Sequence, residues 1–409
     1  MSGPSSSRER YGILALVTSA QVGSAIVQQG LGSLGPFLTS ALALSHAQLG
    51  IVFGMMMAGA TAAVAISGLA VDKFGERRMI LFSGVLMGFA LICAGFVHSY
   101  VWLIAWMALA GVGYAASTPA GGRAVLLWFA RDRGLAMGIR QMGVPLGGFL
   151  GSLILPAFAS AGGYARALLA GGILTALPSI AAAIWYREPA DHVHGSRTLR
   201  TLLGSMLAVA RDARLIYVML SCMVLVVAQS NMVTFFALTL VRDAKFGVAL
   251  AAAGLAVAQI GASVGRVGWG VLSDRIFAGD RIVPLMFCCV IVTLAATAVA
   301  FVPERAVALA FPVAFVLGFS AAGWNGLFSA AQVEIGGPER AGSALGVALT
   351  GVFGMGIISP PLFGALADAR GFRTAWLVLA AVALLGLVPA VLARRAIAGY
   401  GRRPNALEA

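Results

Sequence analysis

The sequence predicts an all-α membrane protein: twelve transmembrane helices in two pseudo-symmetric six-helix bundles. Three observations lead there. Of the 409 residues, 60% are hydrophobic and 11% charged, whereas soluble domains are roughly 45–50% apolar and about 25% charged. Mean hydropathy is +0.93, an excess that lipid absorbs and an ordinary core does not. Apolar runs reach the ~20 residues needed to cross a bilayer and recur with short polar connections between them. Finally, one turn sequence of the first half returns six runs later.

In the first half the apolar runs fall near 11–37, 47–70, 79–97, 100–130, 134–159 and 165–186. In the second they fall near 215–240, 247–273, 282–302, 306–333, 341–366 and 374–393. The longest polar connection, Arg187 to Arg214, holds His192, His194, Arg197, Arg200 and Arg211. The expected division is therefore 1–187 for the first bundle, 188–213 for a cytoplasmic linker and 214–409 for the second. The first run is too long for a signal-peptide core and reads as a retained span.

Twelve spans put both termini on one side. Connections and tails on that side carry 19 Lys and Arg residues, against 6 on the other. The positive-inside rule then places both termini in the cytoplasm of a cell with this protein in its inner membrane. The same asymmetry accounts for the net charge of +13, so nucleic acid is not an expected partner. The cysteines Cys93, Cys222, Cys288 and Cys289 lie inside apolar runs without metal-ligand spacing. No phosphate-cradling loop or nucleophile–base pair is present in the sequence. No metal, cofactor or enzymatic activity is expected.

After the second run the chain reads Gly68-Leu-Ala-Val-Asp72-Lys73-Phe-Gly75-Glu-Arg77-Arg78. After the eighth it reads Gly270-Val-Leu-Ser-Asp274-Arg275-Ile-Phe-Ala-Gly279-Asp280-Arg281, with Ala278 inserted before the glycine. Gly68 is expected to let helices approach, Asp72 to act at a helix end, and Gly75 to make a tight turn. This pattern resembles the signature of the major facilitator superfamily. The resemblance covers the whole chain and implies two six-helix bundles that rock about a central site. It also implies a conformational latch at Gly68, Asp72, Gly75, Arg77, Asp274 and Arg275.

Ionisable residues inside spans are expensive and point to function. Three are expected at depth, Arg123, Arg140 and Arg266, each seven or eight residues from a cytoplasmic turn. At 1.5 Å per residue they lie on the order of 10–12 Å above it, approaching the midplane of a ~30 Å core. No Asp or Glu is expected at that depth, so the arginines lack an obvious counterion. An anionic substrate would supply one, and a guanidinium suits a carboxylate. Snorkelling to the surface or pairing with helix-end carbonyls are the competing readings.

Polar neighbours at helical spacing join the expected substrate site: Gln28, Gln141, Gln259, Trp324 and Asn325, beside Arg123, Arg140 and Arg266. Gly143, Gly147 and Gly151 form a close-packing stripe. Arg140 lies about 20° from Gly147 around the helix and so faces a helix partner as readily as a cavity. The stretch Gly265-Arg266-Val-Gly268-Trp269-Gly270 is similar to the monocarboxylate and oxalate–formate transporter group. Where monocarboxylate carriers place an Asp four residues before that Arg, this chain has Ala262, so their proton-coupling pair does not carry over.

The expected function is transport of a small organic anion, a carboxylate first, by alternating access. A proton or a counter-anion is the candidate coupling ion, and the bilayer and the anion are the partners of a monomer. The alternative is an exporter of amphipathic drugs or metabolites. Replacing Arg166 with cysteine tests the orientation. A membrane-impermeant thiol reagent added outside intact cells should label it, and labelling only from the cytoplasm would invert the assignment.

Overall fold

A computed structural model describes residues 7–129, 133–187 and 209–400, and these are helical throughout, with short turns between. Ten stretches are long and apolar enough to cross a bilayer. Two of them, Leu135–Trp185 with 51 residues and Ala344–Gly399 with 56, are each about twice that need. Glycines with non-helical backbone break both: Gly162 and Gly163 in the first, Gly371 in the second. Ten stretches plus two breaks make twelve helices.

In chain order the first six are α1 (Arg8–Leu42), α2 (His46–Phe74), α3 (Glu76–Phe96), α4 (Tyr100–Trp128), α5 (133–162) and α6 (163–185). The second six are α7 (Ala213–Arg242), α8 (Val248–Arg275), α9 (Ile282–Ala300), α10 (Val307–Gly337), α11 (338–371) and α12 (372–400). The expected linker 188–213 lies outside the described residues as far as position 208. Its last part includes Asp212, whose carboxylate caps α7 and pairs with Arg214 at 2.7 Å.

The internal repeat extends to the backbone. The turn after α1 needs a left-handed residue, Ala43 at φ 49°, and the equivalent turn after α7 has Lys245 at φ 55°. Gly163 and Gly371, at φ 74° and 81°, mark the equivalent turns before α6 and α12. Gly75 at φ 82° matches Gly279 at φ 85°, a region glycine enters without a steric cost. The inserted Ala278 is absorbed there as a second left-handed residue, at φ 50°.

Packing follows the small residues. The glycine stripe of α5 rests on α1, with Gly147 against Val22 and Ala25 and Gly151 against Ile26. Contacts between the halves concentrate at one end. There Gly32 of α1 meets the Val233 carbonyl of α7, Gly50 of α2 meets Pro360 of α11, and Gly364 of α11 meets the His46 carbonyl of α2. Between described residues, the cross-half hydrogen bond nearest the opposite end joins Arg266 to the Gln141 carbonyl. The halves are thus clasped at the end holding the α1–α2 and α7–α8 turns.

Gly32 has no room for a side chain against α7. Gly32→Leu should cost about 1–3 kcal/mol by overpacking, read as a lower unfolding midpoint in detergent. Gly346→Leu, where an added Cβ meets nothing within 4 Å, is the control and should cost less.

Candidate functional site

Arg140 is carried by α5 into the interior of the first bundle and is 1% exposed. Its Nη2 donates to Gln21 Oε1 at 2.8 Å and to the Ser117 and Thr118 carbonyls at 3.1 Å each. Those carbonyls sit on α4 just before Pro119. The guanidinium fits because residue 121 is glycine: a Cβ there would stand 2.6 Å from Arg140 Nε.

Arg266 reaches from α8 across to the other half, where its Nη1 donates to the Gln141 carbonyl at 3.1 Å. Tyr114 of α4 is within electrostatic reach of both guanidinium groups and of the Gln21 side chain. Among the described residues, no carboxylate forms an ion pair with Arg140 or Arg266. Each keeps a buried Nε without a hydrogen-bond partner, as does Gln21 at Nε2. Donors thus outnumber acceptors where α1, α4, α5 and α8 meet. Tyr114 is absent from the sequence expectation. Its only signal was one hydroxyl-bearing ring in the small-residue run Gly111-Val-Gly-Tyr114-Ala-Ala.

Arg123 lies elsewhere, and here the expectation of an unpaired cation is corrected. Its Nε stands 2.7 Å from Glu76 Oε1, and its Nη1 donates to the Val71 carbonyl at 3.3 Å. Glu76 is fully buried at the first position of α3, where the helix dipole favours an anion. It appeared in the sequence to be a loop residue. The acid missing from the expectation was one turn outside its apolar run.

The other expected site residues divide. Gln28 is half-buried with Oε1 unpartnered, and Asn325 donates to Gln229 Oε1 at 3.3 Å from a half-buried position. Gln141 contributes its carbonyl to Arg266. Gln259 is packed over Gly148 and donates to the Gln29 carbonyl at 3.4 Å, bridging α8 to α1. Trp324 is corrected: it is 1% exposed, its indole donates to the Ala321 carbonyl at 2.8 Å, and it packs edge-on against Phe328. An aromatic beside a polar helix face is drawn inward by its area.

At the latch turns, Gly75 makes the tight turn and Arg77 donates to the Ala183 carbonyl at the end of α6. The Asp72 side chain lies outside the described residues. Gly68 is corrected, since a Cβ there would meet nothing within 4 Å and no close approach depends on it. In the second half Asp274 pairs with Arg281, which also holds Glu334 of α10 at 3.0 Å and Ser273 Oγ at 2.9 Å. These contacts, Glu334 foremost, hold the Arg281 guanidinium more firmly protonated than usual. Arg275 closes α8 as the cation of its last turn. The two halves use opposite signs: α4 supplies a cation to the start of α3, whereas α10 supplies an anion to the residue before α9.

The family model of the Major Facilitator Superfamily matches residues 17–360. The chain belongs to the Major Facilitator Superfamily. It is 28% identical over 387 residues to an uncharacterised MFS-type transporter of Mycobacterium tuberculosis, covering 94% of this chain and 85% of that one. It is 26% identical to the agnestins efflux protein of Paecilomyces divaricatus, covering 80% of this chain and 74% of that one. A probable sulfoacetate transporter of Cupriavidus necator is 24% identical over 45% of this chain and 43% of its own. Among solved structures, the fold matches a bacterial homologue of the human lysosomal transporter Spinster, in an inward-facing and occupied conformation. The TM-score is 0.80 at 18% identity, over 98% of this chain and 100% of that one. As a superfamily member the protein is a multi-pass membrane transporter.

Glu76→Ala would leave Arg123 facing its pocket without that acid. The expected loss is about 3 kcal/mol, because an unpaired buried charge is costly. Replacing both residues with Met should recover most of it. Unfolding midpoints of the two single variants and the double variant in detergent check this.

Proposed function

We propose that this superfamily member carries a small organic anion, a carboxylate first, across the inner membrane by alternating access. One observation carries the reading: Arg140 and Arg266, from opposite halves, are both within electrostatic reach of Tyr114 and, among the described residues, form no ion pair with a carboxylate. Each retains an unmet buried Nε donor. In the apolar interior an uncompensated charge is expensive, and an anion bound between them would neutralise it. A guanidinium presents parallel donors that match a carboxylate. The printed name of the Cupriavidus relative, a probable sulfoacetate transporter, agrees with an anionic cargo.

In this reading residues 1–187 and 214–409 are the moving bundles and 188–213 the linker between them. With both termini cytoplasmic, the clasped end faces outward and the site opens to the cytoplasm. Arg123 is then part of the latch region rather than the clamp. The coupling ion is a proton or a counter-anion, and the carrier acts as a monomer. A second reading, export of an amphipathic metabolite, is favoured by the printed name of the agnestins efflux relative.

Uptake of radiolabelled monocarboxylates, dicarboxylates, sulfonates and inorganic anions into proteoliposomes separates the two. Under the anion reading Arg266→Ala should lose roughly 10- to 100-fold of transport, the value of a charged hydrogen bond. Tyr114→Phe should lose about three- to tenfold. If Arg266→Ala transports every accepted compound as well as the wild type, the anion clamp is wrong and the export reading stands.

A further inference from the structure

Gly32 of α1 rests on the Val233 carbonyl of α7, where the halves are clasped. Four residues back from that contact on each helix, and about 40° around it, stand Gln28 and Gln229. Both are half-buried although each lies well inside its span. Gln28 Oε1 is buried without a hydrogen-bond partner. Asn325 opens the second helical stretch of α10 and donates Nδ2 to Gln229 Oε1 at 3.3 Å and to the Ala322 carbonyl at 3.0 Å. Among the described residues that bond takes up the Gln229 acceptor and leaves the Nε2 donors unused.

The same face of α1 leads from this level to the arginines. Gln21, whose Oε1 accepts from Arg140, is seven residues from Gln28. Seven residues nearly complete two turns, so the two amides stack about 10 Å apart along the helix. The α8 helix repeats the interval: Arg266 is seven residues from Gln259, which donates to the Gln29 carbonyl at 3.4 Å. Between the two levels the polar side chains are short and turned back on their own helices. Ser24 Oγ donates to the Ala20 carbonyl at 3.1 Å and Ser263 Oγ to the Gln259 carbonyl at 3.0 Å. A cationic level is thus followed by an amide level about 10 Å nearer the clasp. The amide level carries no charge, since the stretches 11–42, 141–161, 215–241, 248–265 and 307–333 contain no Asp, Glu, Lys, Arg or His.

We propose that the cargo is a short monocarboxylate with a hydroxyl at its far end. The proposal rests on the anion reading above and adds the other end of the molecule. The carboxylate lies between Arg140 and Arg266, and the terminal hydroxyl donates to Gln28 Oε1 and accepts from Gln229 Nε2. A methyl end leaves both amide groups unmet, and an unmet buried polar group is costly. A second carboxylate has no proton for Gln28 Oε1 and finds no cation at that level, so it is an unpaired buried charge. Length follows from the two levels. A hydrogen bond of about 2.8 Å at each end takes up half of the ~10 Å interval and leaves about 5 Å between the end oxygens of the cargo. An extended chain advances about 1.2 Å per bond, so a three-carbon chain spans that gap.

Four three-carbon probes differ only at the far end or in where the hydroxyl stands: 3-hydroxypropionate, 2-hydroxypropionate, propionate and malonate. Initial rates of uptake by the full chain in proteoliposomes give kcat/KM for each. The value for 3-hydroxypropionate should exceed those for propionate and 2-hydroxypropionate by about three- to tenfold, the worth of a neutral hydrogen bond. It should exceed the value for malonate by at least about 100-fold, the cost of an unpaired buried charge. Gln28→Met keeps the length of the side chain and removes the amide, and should bring the ratio of 3-hydroxypropionate to propionate close to one. Both cargoes are measured on one preparation, so any loss of folded protein cancels from that ratio. Equal values for 3-hydroxypropionate and propionate, malonate carried as well as either, an undiminished ratio in Gln28→Met, or no uptake of all four would overturn the proposal. Arg266→Ala separates this failure from that of the anion reading. If it is impaired on whatever compounds the wild type carries, the clamp stands and only its far end is wrong; if it carries them at the wild-type rate, both fall.

Discussion

Helices α2 and α11 touch backbone to backbone where Gly364 meets His46 and Gly50 meets Pro360, and α1 touches α7 the same way at Gly32. These approaches leave no side chain to yield, so the backbones there are in direct contact. That registration sets how far the halves diverge further along. It brings Arg266 of α8 within hydrogen-bond distance of α5 and places it in reach of Tyr114.

Charge is handled differently in the three zones of the molecule. At the two repeated turns the buried Glu76 is paired with Arg123, and the half-buried Arg281 with the exposed Asp274 and Glu334. At the clasped end Asp368 is paired with His46 and two backbone donors. At the centre the two arginines have carbonyls, an amide and a nearby phenol but, among the described residues, no acid. Where charge balance is complete inside the protein, the interaction is structural. Where it is incomplete, a ligand has something to contribute.

The opposite polarity of the two repeated turns has a physical consequence. In the first half the acid is at a helix N-terminus and fully buried, so the dipole and the arginine both favour it. In the second the arginine stands in a turn and binds two exposed acids. Exposed pairs are screened by salt and contribute little each. The buried pair of the first turn therefore contributes more than the exposed pairs of the second, although the two turns share the same Gly, Asp, Gly and Arg pattern.

Much of this architecture was legible in the order of residues. Hydrophobic length decided the number of spans, because lipid leaves a backbone no partner but its own helix. The Asp72 and Asp274 turns declared the six-plus-six repeat, and the glycine stripe of α5 announced a helix neighbour that proved to be α1. That Arg140 and Arg266 sit well inside their helices followed from counting residues back from a turn. Direction around a helix and the identity of a partner did not follow, since both depend on which helices surround the residue. Arg123 and Arg140 stand at similar depth in adjacent helices, yet one meets Glu76 and the other meets Gln21. Trp324 was read as a cavity residue and is core; Tyr114 was passed over and is within electrostatic reach of both arginines. His46 and Asp368 are 322 positions apart and only the packing of two helix ends joins them. Local spacing determined what each helix offers, and the close fit of the two halves decided which offers meet.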